Sequence, residues 1–195
     1  MLLGLLASIS VPSRAADPAV VSAPARGLAQ VRIRPIRPSD LELERRFVCS
    51  LSPRSRYYRL LSGRSLLPRE LERWTDVDTS REIALIALTG DGGDEEQIGV
   101  ARCVVDPVAP GSREFAIVVA DAWQRCGIGQ ALLCRLIDAA KVAGVTTLSG
   151  ITLSENRGML ALGRKLGFRA RREDGDATLT RLELSLLGDR QRCVS

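Results

Sequence analysis

The residues whose types and spacing carry the most chemistry are Glu114, Gln124, Gly127 and Gly129. The apolar run Phe115 to Ala120 separates the carboxylate from a glycine-bracketed loop, and Ala131-Leu132-Leu133 follows it. That order reads as a buried strand, a short turn, a loop and the start of a helix. A glycine-rich loop opening a helix presents unpaired backbone N–H groups and the positive end of the helix dipole, so it suits a phosphate. Gly127 and Gly129 permit close approach of an anion to the main chain. Glu114, at the head of the strand, is a carboxylate that could take a proton.

Composition narrows the chemistry. The 195 residues contain no histidine, which removes His-based acid–base catalysis, Ser-His and Cys-His nucleophile pairs, and His-containing zinc sites. The five cysteines (Cys49, Cys103, Cys126, Cys134, Cys193) form no C-x-x-C pair, and their odd count fits neither a disulfide framework nor a zinc cluster. They read as reduced thiols of a cytoplasmic protein, with no metal expected. Cys126 lies inside the loop, and with no second thiol near it in sequence it reads as a tolerated loop residue. The net charge of +5 is carried by arginine, only Lys141 and Lys165 being lysines. Its dispersal, with no nucleic-acid motif, favours an anionic cofactor over nucleic acid.

The elements that must position these residues follow from pattern. Residues 1–29, apolar at first and then rich in Pro, Ala and Ser, read as a disordered or mis-assigned extension. The positive n-region of a secretory signal is missing, and no segment reaches the ~20 apolar residues of a membrane span. Order is expected from Val31, where Val31 and Ile33 alternate with arginines in a strand. A helix follows from Ser39 or Asp40 with Leu41, Leu43, Phe47 and Val48, ending near Ser52-Pro53, and Pro68 opens a second helix to about Thr75. Strands are expected over 83–88, 97–105 and 113–119, then a helix from Ile128 to about Ala143. A strand over 147–153, a helix from Asn156 to Gly167, and a hairpin of 168–172 with 178–186 complete a domain over 30–187, leaving a polar tail, 188–195. The order βααβββαβαββ is an α/β fold with one mixed sheet flanked by helices.

Gln124-x-x-Gly127-x-Gly129 after a buried strand, with Asn156 and Lys165-Leu166-Gly167-Phe168 downstream, resembles the GNAT superfamily of acyl-CoA-dependent N-acyltransferases. The resemblance implies acetyl-CoA as co-substrate. It assigns the pyrophosphate to the backbone of Gln124, Arg125, Cys126, Gly127, Ile128 and Gly129. It also implies that the strand before the loop splays from its neighbour at a bulge, so that the pantetheine arm pairs with the main chain of Ile117, Val118 and Val119. One such N–H would stabilise the oxyanion. Asn156 would reach the cofactor arm, and it is also a plain N-cap by residue type.

An acceptor ammonium with a pKa near ~10.4 must lose a proton before it attacks, so a base is expected, and Glu114, partly desolvated beside Phe115, is the candidate. The alternative is a solvent-facing charge or a pair with Arg102 or Arg113. Ile151 stands where relatives often carry a second carboxylate. Gly163 stands where many carry the tyrosine that protonates the departing thiolate, a group tolerable as an unaided leaving group at a pKa near ~8.5.

Within the superfamily the chain is most similar to the acetyltransferase domain of bacterial Pat-like protein lysine acetyltransferases. The matching pieces are 51–59, Asp76-Val77-Asp78 to Glu82, Val100-Ala101-Arg102, and Glu114–Val119 with Asp121-x-Trp123-Gln124. That likeness implies acetyl transfer to a protein lysine, with the 54–64 segment lining the acceptor site. A small-amine N-acetyltransferase and a non-catalytic acyl-CoA-binding regulatory module are the alternatives. A homodimer is left open, and no membrane partner is expected.

Overall fold

Strand patterning and helix punctuation divide the chain into thirteen longer elements among the described residues. The computed structural model describes residues 19–23, 29–60 and 68–187. In chain order they are β1 (Ala19–Ala23), β2 (Ala29–Pro35), α1 (Leu41–Ser50), α2 (Pro53–Leu60), α3 (Pro68–Thr75), β3 (Glu82–Thr89) and β4 (Glu96–Val105). Then come β5 (Ser112–Val119), α4 (Ile128–Val142), β6 (Thr147–Leu153), α5 (Arg157–Lys165), β7 (Arg169–Glu173) and β8 (Asp176–Ser185). The strands form one eight-stranded sheet in the order β1-β2-β3-β4-β5-β6-β8-β7. Only β5 and β6 run parallel, joined through α4, so the sheet is mixed as expected.

Two differences from the sequence reading concern the first third of the chain. Ala19–Ala23, inside the expected extension, pairs antiparallel with β2 as an edge strand, because Ala-Val-Val-Ser-Ala has the β-branched residues a strand favours. Residues 1–18 and the polar tail lie outside the described residues. The first helix ends at Ser50, close to Ser52-Pro53 as expected, but Pro53 then starts a separate helix, α2, that the sequence reading did not assign. Ser52 Oγ accepts the Ser55 N–H at 3.2 Å and Pro53 takes the first helical position.

The sheet is covered on both faces. Successive residues of a strand point to opposite sides. A Cβ on Gly99 would lie 2.9 Å from Leu132 Cδ1 of α4, whereas the next residue, Val100, lines a small cavity with Glu44 and Phe47 of α1 and Trp74 of α3. The core on the α4 side contains Leu132, Leu133 and Leu136, all fully buried, and Ile137 at 2% exposure. The 132/133/136/137 spacing is the apolar stripe expected of α4.

What shapes the site is the separation of β5 from β6. β5 keeps an unbroken register with β4 from Arg113↔Val105 to Val119↔Gly99, and β6 keeps one with β8 from Thr147↔Ser185 to Leu153↔Leu179. Between β5 and β6 pairing stops after Ser112↔Thr147, Arg113↔Leu148 and Glu114↔Ser149. The two half-sheets therefore part like a fork, without the β5 bulge expected from the family. Each strand follows its outer partner, and right-handed twist carries the two apart. At the apex a Cβ on Gly150 would stand 2.7 Å from Phe115 Cε1 and 2.9 Å from the Phe115 carbonyl oxygen, so glycine is required for the strands to meet there. The Phe115 ring stacks tilted on Phe168 at 5.1 Å.

Candidate active site

The fork opens into a cleft of about 1430 Å³. A single small-ligand pocket is ~300–1,000 Å³, so there is room for a long cofactor and part of an acceptor. One wall is the unpaired edge of β5 at Ile117, Val118 and Val119. The other is β6 at Gly150, Ile151 and Thr152. At the mouth the chain passes from a short 3-10 turn, Asp121–Trp123, into the loop before α4. Arg125 has φ 63° and Gly127 φ 86°, so two left-handed residues flank Cys126 in the loop. Gly127 is the N-cap of α4 and offers no side-chain acceptor, so the first N–H groups of that helix are left for a ligand. Gln124, Arg125, Gly127 and Gly129 all line the cleft.

Glu114 lies at the apex, the last residue of β5 paired with β6, and its side chain borders the cleft. It is exposed, which corrects the expectation of desolvation beside Phe115. Strand alternation puts Phe115 on the α4 side and Glu114 on the side of α1 and α2. Neither expected arginine pairs with it. Arg102 binds Glu82 at 2.8 Å and the Trp74 carbonyl at 2.9 Å, and Arg113 reaches the Ser80 carbonyl at 3.4 Å. The cation whose field includes Glu114 is Arg181, whose pKa is raised chiefly by its hydrogen bond to Glu173.

Helix α2 borders the cleft with Arg54, Tyr58 and Arg59. Tyr58 Oη accepts from Arg54 Nε at 2.9 Å and donates to Glu155 Oε1 across the cleft at 3.2 Å. Arg59 stacks on Trp74 at 5.0 Å, and Arg102 stacks on the same ring at 5.0 Å. Desolvation, and then the Arg102 charge, bring the Arg59 pKa down to about 10. Arg59 Nε and one oxygen of the buried Glu44 are left without hydrogen bonds around a void of about 10 Å³ bordered by Val118, the size of one water.

Of the residues singled out from sequence, Glu114, Ile117, Val118, Val119, Gln124, Arg125, Gly127, Gly129 and Asn156 all border this one cleft. Two do not. Ile128 is 1% exposed in the core, so only its main chain can serve a ligand. Cys126 is half-buried with Sγ 3.5 Å from the Gln124 carbonyl. Asn156 caps α5, its Oδ1 accepting the Met159 N–H at 3.1 Å while its Nδ2 donates to Thr152 Oγ1 at 3.1 Å. Gly163 is buried against Leu182, whose methyls would lie 3.2 Å from a Cβ there, and Leu182 itself borders the cleft.

Sequence reasoning placed Asp121 and Ser55 in matching stretches but missed that they meet in the site. Asp121 accepts from the Ser52 N–H at 3.0 Å, from Ser52 Oγ at 2.8 Å and from Ser55 Oγ at 2.7 Å. Gln124 Nε2 donates to Ser55 Oγ and to the Val119 carbonyl, each at 3.1 Å. Desolvation pushes the Asp121 carboxyl up, but the hydrogen bonds from Ser52 and Ser55 outweigh it and hold its pKa below the ordinary value. The Ser-Pro pair was the available signal for α2; the pairing of Ser55 with Asp121, 66 residues apart, had none. Among the described residues no three His, Cys, Asp or Glu side chains gather into a metal site, and no helix is long and apolar enough to cross a membrane.

A forked mixed sheet with a glycine loop at its mouth and a carboxylate at its apex is the arrangement of an acyltransferase of the GNAT type. The family model described as an acetyltransferase (GNAT) domain matches residues 30–169, and the chain belongs to that family, the acetyl-CoA-dependent N-acetyltransferases. It is 33% identical over 149 residues to the acetyltransferase PA5475 of Pseudomonas aeruginosa, covering 76% of this chain and 80% of that protein. It is 28% identical over 152 residues to the acetyltransferase Pat of Mycolicibacterium smegmatis, covering 78% of this chain and 45% of that one. Among solved structures it is similar to the GNAT domain of S. lividans PAT, with a TM-score of 0.75 and 26% identity over 87% of this chain and 97% of that one.

Proposed function

We propose that the protein transfers the acetyl group of acetyl-CoA to the side-chain amine of a lysine in a protein, with Glu114 as the base. The observation that carries this reading is the fork: its apex sets a carboxylate beside the free edge of β5, and its mouth presents the N–H groups before α4. The orphan main-chain edge at Ile117–Val119 suits the amides of a pantetheine arm, and Gln124 to Gly129 suit a pyrophosphate. Acetyl-CoA supplies the activated acyl carbon and a thiolate leaving group. Glu114 takes a proton from the acceptor ammonium, directly or through a water. The amine nitrogen forms its bond to the thioester carbon and gives up its second proton to water, while a β5 N–H donates to the oxygen on which negative charge gathers. As the C–S bond breaks, water or a nearby hydroxyl such as that of Tyr58 returns a proton to sulfur, because Gly163 leaves no phenol on α5. The likeness to the Pat proteins supports a protein acceptor.

The test incubates the protein with labelled acetyl-CoA and a lysate of its own cell. Label on protein lysines, lost with Glu114→Gln, is the expected result. Label confined to the small-molecule fraction would make it a small-amine acetyltransferase. Cofactor binding with no transfer by either protein would make it an acyl-CoA-binding regulator.

A further inference from the structure

Two stretches singled out in the sequence, Ser52-Pro53-Arg54-Ser55 and Asp121-x-Trp123-Gln124, belong to opposite halves of the site, and the fold joins them. Ser52 and Ser55 stand at the first turn of α2, the helix that brings Arg54, Tyr58 and Arg59 to the half read as the acceptor site. Asp121 and Gln124 lead into the loop read as the pyrophosphate site. Asp121 takes the first N–H of that turn and both hydroxyls, at 2.7 to 3.0 Å, and the Gln124 amide donates to the same Ser55 oxygen. Ser55 is 7% exposed, so its hydroxyl exchanges these partners for nothing equivalent. The far end of α2 meets the other half of the fork through Tyr58 and Glu155, the residue before Asn156, in an exposed hydrogen bond worth little by itself. The first turn of α2 is therefore tied to the cofactor loop by these hydrogen bonds, while its last turn is held by Arg59 against Trp74.

We propose that Asp121, Ser55 and Gln124 are positioning residues that couple the two substrate sites, so that filling the cofactor loop fixes α2 and with it the acceptor surface. The physical route is short. An anion held by the N–H groups of Gln124 to Gly129 restrains the Gln124 main chain; its amide and the neighbouring Asp121 carboxylate then restrain the first turn of α2. Coupling of this kind needs no change of shape, only that one ligand prepays the ordering the other requires. The inference rests on the cofactor reading of the loop and goes beyond it in linking that loop to the acceptor helix.

Amide hydrogen exchange of the full chain with and without saturating coenzyme A tests it. In the native protein coenzyme A is expected to slow exchange in residues 124–131 and also, by ~5-fold or more, in residues 53–60. In Ser55→Ala and Asp121→Asn the protection of 124–131 persists, while that of 53–60 no longer responds to coenzyme A. A role confined to stability would lower protection of α2 equally with and without coenzyme A, so equal losses overturn the proposal. So does protection in the native protein confined to 124–131. If Asp121→Asn disturbs exchange in β8 as well, Ser55→Ala, which removes a single hydroxyl, decides. Absence of protection at 124–131 in the native protein overturns the cofactor reading itself, and the coupling falls with it.

Discussion

Glu114 and the glycines of the loop ask different things of their positions. If Glu114 is the base, Glu114→Gln keeps the shape and removes the proton acceptor, so kcat is expected to fall by ~10²–10⁴ while calorimetric binding of acetyl-CoA stays as in the native protein. Equal loss of both would make Glu114 a binding residue. At Gly127 nothing lies within 4 Å of an added Cβ, yet φ is 86°, so Gly127→Ala costs through backbone strain, ~1–2 kcal/mol, and not through crowding. Weakened acetyl-CoA binding with a modest loss of thermal stability is expected, since the loop escapes strain by turning its N–H groups away. The loop, Glu114 and Asn156 were legible because each sits at a local punctuation mark: a strand start, a glycine pair, a helix start. The exposure of Glu114 was not, because it depends on where β6 leaves β5, and Gly150 is 36 residues away in sequence.

At the scale of elements the fork is the feature on which the proposed function rests, and Gly150 holds its apex. Gly150→Ala would set a methyl against the Phe115 ring and, less forgivingly, against the Phe115 carbonyl at 2.9 Å. The strands must move apart, at ~1–3 kcal/mol by the usual cost of overpacking. Urea unfolding and acetyl-CoA titration should both register the change; an unaltered midpoint would mean that the apex yields more easily than its packing implies. Strands, α4 and α5 were legible because their apolar periods are strong and their ends carry glycine or asparagine. α2 was not, because Ser52-Pro53, which does follow the end of α1, was not also read as the start of the next helix. β1 escaped because five small residues within a Pro- and Ala-rich stretch become a strand only when β2 offers an edge.

For the molecule as a whole, the joint between helices and sheet contains a carboxylate where pattern predicts none. Leu41, Leu43, Phe47 and Val48 are the apolar residues expected of α1; Phe47 is buried and Leu43 and Val48 pack against the core, but the other buried position of the helix is Glu44. Glu42 and Glu44 look alike in sequence, but Glu42 is exposed beside Arg45 and Glu44 is fully buried. Glu44 accepts from Gln97 of β4, faces Arg59 and Arg102, and has one oxygen without a partner. Burial, the largest influence, raises its pKa above 4.5, against the pull of Gln97 and the two arginines. A carboxyl with a higher pKa folded than unfolded makes folding favour its protonated form. Its contribution is therefore fully present below pH 4.5 and lost as pH rises through the folded pKa. Glu44→Gln stays neutral throughout and retains an acceptor for Gln97. Thermal unfolding of the two proteins should give matching stabilities near pH 4, with the variant gaining ~1–3 kcal/mol on the native protein as pH rises, the range for a buried polar group left unsatisfied. The difference between the proteins cancels the opposite trend from Asp121 and Glu173, whose lowered pKa values cost stability only as pH falls. A difference that shrinks with rising pH would mean that Arg59 and Arg102 stabilise the Glu44 carboxylate more than burial opposes it, reversing the expected direction of the Glu44 shift.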